Sequence, residues 1–178
     1  MHVLVADKLT CSRCGPKFGL ILRADETRGR YVTRGVLGCP NCRDQYPILD
    51  GFGDLRAPPR GGLTEGLAGE LLNKDPTESE YLLPLLDITH GPGIVLLIGA
   101  PSALGRGLAG LLDDIHIVGM DEDLVKWPNE SLFTRIVSKP GVPFFSQTLR
   151  GVVIDGRLGQ HWFKEAARVI APMCRAIV

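Results

Sequence analysis

Two Cys-x-x-Cys pairs, Cys11-Ser-Arg-Cys14 and Cys39-Pro-Asn-Cys42, constrain this chain more than any other feature. With residues 15–38 between them, they supply four thiolates, the ligand set of a closed tetrahedral Zn²⁺ site. Such a site has no open coordination position, so its role is structural. Residues 1–57 form the module that this metal would fix. A unit that small buries too little apolar surface to fold on packing alone, and metal binding makes up the deficit. Within it the pattern predicts strands over Val3–Leu9, Phe18–Arg23 and Arg30–Leu37, with Arg28-Gly-Arg30 as a turn. Two Pro and two Gly in Ala57–Gly62 then break regular structure.

Charge divides along the chain although the total is zero. Residues 1–60 carry ten Lys/Arg against six Asp/Glu, a net +4, and the remainder carries ten against fourteen, a net −4. The basic head permits RNA contact, but no basic run with interleaved aromatics demands it. No signal peptide is expected, because Met1 leads straight into alternating Val3 and Val5. No apolar run approaches the ~20 residues of a membrane span. Four cysteines spaced for metal favour a reducing, cytoplasmic setting. Cys174 reads as a small core residue.

Residues 58–77 read as a linker with a helix over Leu63–Leu72 and Thr64 as a possible N-cap. A second helix is expected over Thr77–Leu86. From residue 78 to 178 short apolar strands alternate with helices: Ile94–Ile98, Ile115–Met120, Leu132–Val137, Gly151–Ile154 and Arg175–Val178 as strands, His161–Ile170 as a helix. That alternation predicts a parallel sheet with right-handed crossovers, here ending at the fifth strand. The fold class is α/β, a small β-rich zinc ribbon with four cysteine ligands followed by a Rossmann-like sheet. The glycines at 99, 105 and 107 fit neither a phosphate loop nor the dinucleotide fingerprint. Asp121, Glu122 and Asp123 either bind a ribose or metal, or open a helix through its dipole. None of His2, His90, His116 and His161 is spaced as a general base beside an acid. Trp127 and Trp162 are core residues or partner anchors.

Leu9-Thr-Cys-Ser-Arg-Cys14, Leu37-Gly-Cys-Pro-Asn-Cys42 and Tyr46-Pro-Ile-Leu-Asp-Gly51 together resemble the small zinc-binding activators of RNA and protein methyltransferases. That resemblance implies a binding module that pairs by strand addition with a methyltransferase. Ile94-Val-Leu-Leu-Ile-Gly-Ala100, Ile117-Val-Gly-Met-Asp121, Val142-Pro-Phe144, Leu149–Asp155 and Glu165–Pro172 are similar in order to segments of class I S-adenosylmethionine-dependent methyltransferases. The resemblance implies Gly99 and Asp121 as cofactor-binding residues. Several positions depart from it. Leu97 stands where relatives carry an acid, Pro101 and Ala103 where they carry glycine, and Met173-Cys174 where Gly-Gly follows Pro172. Proline has a fixed φ and no N–H, so it cannot be a close-approach donor. The expectation is therefore a non-catalytic accessory or structural subunit, a pseudo-methyltransferase with a zinc ribbon. Its partner is a protein or a second copy, met through the ribbon or the exposed sheet edge. The alternative is an active methyltransferase acting on RNA, protein or a small molecule.

Overall fold

The computed structural model describes residues 1–71, 76–130 and 132–178. A short helix, α1 (Val3–Ala6), precedes a two-stranded ladder of β1 (Thr10–Cys11) and β2 (Gly15–Gly19). An antiparallel meander follows: β3 (Ile21–Arg28), β4 (Tyr31–Gly38), β5 (Gln45–Leu49) and β6 (Phe52–Arg56). The β5–β6 hairpin turns on Asp50-Gly51, both at positive φ (46° and 72°), the backbone that an Asp-Gly type I′ turn requires.

The second half contributes α2 (Leu82–Leu86), β7 (His90–Ile98), α3 (Gly105–Ala109), β8 (Asp113–Met120), β9 (Phe133–Lys139), β10 (Leu149–Ile154), α4 (Gln160–Val169) and β11 (Ile170–Ile177). These five strands are parallel and lie in the order β11-β10-β7-β8-β9. The chain starts in the middle, runs outward to β9, then returns to place β10 against β7. This is the doubly wound order, and its topological switch point lies between β7 and β10. Both faces of the sheet are covered. Along β7, Ile94, Leu96 and Ile98 enter one buried cluster while Val95 and Leu97 enter the other, the period of two that a strand imposes.

The sheet does not stop at β9. β6 pairs with it in parallel over five rungs, from Phe52↔Arg135 to Arg56↔Lys139, and one nine-stranded sheet runs through the described residues. The core is shared as well, since Leu37, Tyr46 and Ile48 of the ribbon belong to the same buried cluster as Leu96, Val118 and Val152. Arg135, only 1% exposed, staples the junction. Its guanidinium donates to the carbonyls of Leu124 (3.0 Å), Trp127 and Asp50. Burial pushes its pKa down. Residues 1–57 and 78–178, expected as separate units, thus meet edge to edge.

Five local expectations change. Phe18–Arg23 is not one strand, because β2 ends at Gly19 and β3 begins at Ile21. Cys174, expected in the core, is half-buried on the outermost strand β11. Val3–Leu9 is not a strand: Val3–Ala6 is helical, with His2 Nδ1 accepting the Leu4 N–H at 3.2 Å. The cap and the docking of this turn on the shared core override the β-branched pattern. Leu63–Leu72 is not one helix. Thr64 caps nothing, only Ala68–Leu71 form a 3₁₀ turn, and Leu72 lies outside the described residues. Thr77–Leu86 divides into a 3₁₀ turn, Pro76–Tyr81, and α2.

Candidate functional site

The ribbon closes around its cysteines. Cys11 ends β1, Cys14 lies in the turn to β2, and Cys39 and Cys42 flank the turn after β4. Arg43, in a left-handed conformation (φ 63°), returns its N–H to the Cys39 carbonyl at 3.0 Å and tightens that turn. The four sulfur atoms lie within 4.8 Å of one another, a group that could hold a metal ion. Cys11 and Cys42 sulfurs are 3.6 Å apart, and Cys14 and Cys39 sulfurs 3.9 Å. Tetrahedral Zn–S bonds of about 2.3 Å require sulfur separations of about 3.8 Å, so the residues present fit zinc. Cys11 and Cys39 are buried, Cys14 and Cys42 half-buried. Burial pushes the Cys11 thiol up, but hydrogen bonds led by that from Tyr46 outweigh it and set it at about 7. Burial pushes the Cys42 thiol well up.

A second polar site lies beyond the carboxyl ends of β7, β8 and β9, beside the switch point, where ligands bind in open α/β sheets. Gly99 (φ +75°) leaves β7 there, and a Cβ on it would meet Asp155 at 3.0 Å and Leu158 at 3.2 Å. The glycine-loop positions form a 3₁₀ turn, Ala100–Leu104. Ser102 Oγ seals it, donating to Leu97 O (2.7 Å) and accepting from Met120 N–H (3.1 Å). Leu97 is fully buried in the apolar core. Asp155 caps the turn after β10 and is held below the usual carboxylate range by Arg157.

The acids after β8 are occupied by the chain itself. Asp121 Oδ1 accepts the Asp123 N–H (2.9 Å) and Oδ2 the Leu67 N–H (3.0 Å). Glu122 accepts the Thr64 N–H (2.5 Å) and hydroxyl (2.9 Å), and pairs with Lys139 Nζ at 2.6 Å. Asp123 Oδ2 accepts the Gly69 N–H at 2.8 Å. A strap, residues 64–69, is therefore latched onto three consecutive carboxylates. Two glycines allow its approach: a Cβ on Gly66 would overlap the Asp121 carboxylate, and one on Gly69 would lie 2.7 Å from Asp123 Oδ2. Burial raises the Asp121 pKa. Burial also works against ionised Glu122, yet Lys139 and Thr64 hold its pKa down.

The space left between strap and sheet is about 180 Å³, lined by Ile98, Gly99, Met120, Val137 and Trp162 among others. Small-molecule pockets run from roughly 300 to 1,000 Å³. Both Asp121 oxygens are committed to backbone donors, and Pro101 offers no N–H. The residues as folded do not fit S-adenosylmethionine. Gly99 and Asp121 do lie at one site, and the strap that meets them there was not legible as a partner in the sequence. The surplus of glycine at 61, 62, 66 and 69 was its one signal.

No protein-family model matches this chain, and no curated protein matches it. A solved structure from Methanococcus maripaludis, provisionally assigned as an S-adenosyl-L-methionine-dependent methyltransferase, matches with 20% identity and a TM-score of 0.43. That match covers 59% of this chain and 53% of the other, so this chain spans about half the length of the protein it matches. Among the described residues no helix is long and apolar enough to cross a membrane.

Proposed function

We propose that this chain is a non-catalytic accessory or structural subunit, a structural zinc ribbon built in one piece with a methyltransferase-like sheet. The observation that carries this reading is the strap. Thr64, Leu67 and Gly69 take up the three carboxylates at the site where such a sheet would hold a nucleoside. Zn²⁺ at Cys11, Cys14, Cys39 and Cys42 supplies folding energy and no chemistry. The ribbon spends its β6 edge on β9 of its own chain, which leaves β3 and β11 outermost among the described residues. Both are blunted. β11 carries Pro172, Met173 at φ +65° and a register break, and β3 carries Arg23, Asp25, Glu26 and Arg28 with two register shifts. A protein partner or a second copy then meets the ribbon surface rather than adding a strand.

Calorimetric titration of the zinc-loaded protein with S-adenosylmethionine and S-adenosylhomocysteine tests the reading. No heat at millimolar ligand is expected. Binding at micromolar Kd, about −8 kcal/mol, weakened by Asp121→Ala, would overturn it. It would favour the second reading, an active methyltransferase holding its cofactor through Gly99 and Asp121 once the strap moves. The position of the cleft beside the switch point is what speaks for that alternative.

A further inference from the structure

Tyr46 has a role that the four-sulfur ligand set leaves unexplained. It lies on β5, paired with Leu37 of β4, and its side chain is fully buried. A buried phenol needs a partner for its hydroxyl, because an unmade bond there costs the full desolvation of the group. The partner is Cys11 Sγ, at 3.1 Å. A metal-bound cysteine is a thiolate without a proton, so in the loaded site the hydroxyl donates and the sulfur accepts. The Cys14 N–H points at the same sulfur from 3.4 Å. The guanidinium of Arg60 covers the Tyr46 ring, 5.2 Å from its centroid, and is itself held by the carbonyls of Arg56 (2.7 Å) and Gln45 (2.5 Å). A cation on the ring face draws electron density away from the phenol and strengthens its O–H as a donor.

The other outer contact differs in kind. Asn41 Nδ2 reaches Cys14 Sγ at 3.2 Å, but Asn41 is exposed and water competes for the same sulfur. One sulfur is therefore fixed from inside the shared core, and its neighbour is touched only at the rim. Groups behind metal ligands orient them and tune their basicity, and losing one typically costs about 10- to 100-fold in metal affinity.

We infer that Tyr46 is the positioning residue of the metal site, its hydroxyl fixing the Cys11 sulfur from inside the core, so that Cys11 is the anchoring ligand. The inference rests on zinc occupying the four cysteines. The test uses full-length protein loaded with Zn²⁺, and with Co²⁺ as a spectroscopic probe. Tyr46→Phe is expected to release zinc to a competing chelator about 10- to 100-fold faster than wild type and to shift the sulfur-to-cobalt charge-transfer band. In timed alkylation with N-ethylmaleimide read by mass spectrometry, Cys11 should be the first ligand modified, its rate rising more than that of Cys39, which is similarly buried. A general loosening of the ribbon would instead raise both alike. Asn41→Ala is expected to change release by less than about threefold, because its bond is exposed. Wild-type release rates and band in Tyr46→Phe, or an effect of Asn41→Ala as large as that of Tyr46→Phe, overturn the inference. If Tyr46→Phe does not load metal, 3-fluorotyrosine placed at position 46, a stronger donor of nearly the same shape, must slow release, and an unchanged rate overturns the inference. Failure of the wild-type protein to bind either ion would instead overturn the metal assignment.

Discussion

The ribbon gathers its four ligands from two turns, each cysteine pair spanning four residues, and every ligand is a side chain. The cleft is assembled the other way. Its acceptors are three consecutive carboxylates, but its donors are mostly backbone N–H groups from a strap up to 58 positions upstream. A site whose chemistry sits in closely spaced side chains can be read from sequence. A site filled by main chain from afar cannot, because every residue except proline carries the same N–H.

The largest effect that would break this comparison is loss of the metal. Cys39→Ser, or chelation of the wild type, is expected to unfold more than the ribbon, because β6 and Tyr46 are part of the sheet and core of the second half. Apparent zinc-binding energies of about 10–16 kcal/mol in small structural sites set the scale. Circular dichroism melts should show one cooperative transition with zinc and none of comparable size without it. A surviving transition in the cysteine variant would mean that the two halves fold apart.

Arg135→Met comes next. It removes the guanidinium from the carbonyls of Asp50 and Trp127, and from that of Leu124, which keeps only the Trp127 N–H, and a loss of about 3 kcal/mol is expected in denaturant unfolding. Arg135→Lys should not restore it, since an ammonium lacks the planar fork that serves Leu124 and Trp127 with one nitrogen and Asp50 with the other.

The same contrast explains how much of the molecule could be foreseen. The parallel strands and α4 were legible because apolar runs and helical spacing are local signals. The joining of the two halves was not, since nothing in Phe52–Arg56 or Phe133–Lys139 says that these strands pair. Thr64 looked like a helix cap because a hydroxyl before a run of helix formers usually is one, and the Glu122 carboxylate outcompeted that use. Val3–Ala6 looked like a strand because its alternation is that of a strand, and His2 turned it into a capped helical turn. At Gly99 and Asp121 the sequence located the cleft but not what fills it.

A smaller effect is expected from Gly66→Val, which places methyl groups against the Asp121 carboxylate. It should lift the strap for about 1–3 kcal/mol of stability. Limited proteolysis should then cut within residues 63–69, where the wild type resists. An uncut variant of unchanged stability would show that the strap is not seated by close approach.

The smallest effect concerns acid. His2, stacked on His116 with ring centroids 4.1 Å apart, has its pKa lowered to about 4, first by burial and then by the charge of His116, and burial lowers His116 as well. Between pH 6.5 and about 4 the unfolded chain binds more protons than the folded one, so this pair loses stability as pH falls through that window. Glu122, with a lowered pKa, adds loss in the same direction as pH falls through the carboxylate range, while the raised Asp121 acts oppositely. His2→Gln should flatten the upper part of the stability–pH profile, and an unchanged slope between about pH 6.5 and 5 would contradict the assignment.

Amide hydrogen exchange of the zinc-loaded wild-type protein, with and without about 1 mM S-adenosylhomocysteine, addresses the self-filled cleft most directly. The account predicts that the Leu67 and Gly69 amides are protected without ligand and unchanged by it. Free exchange of these amides, together with ligand-induced protection at Gly99 and Asp121, would show an open cofactor site and contradict the account.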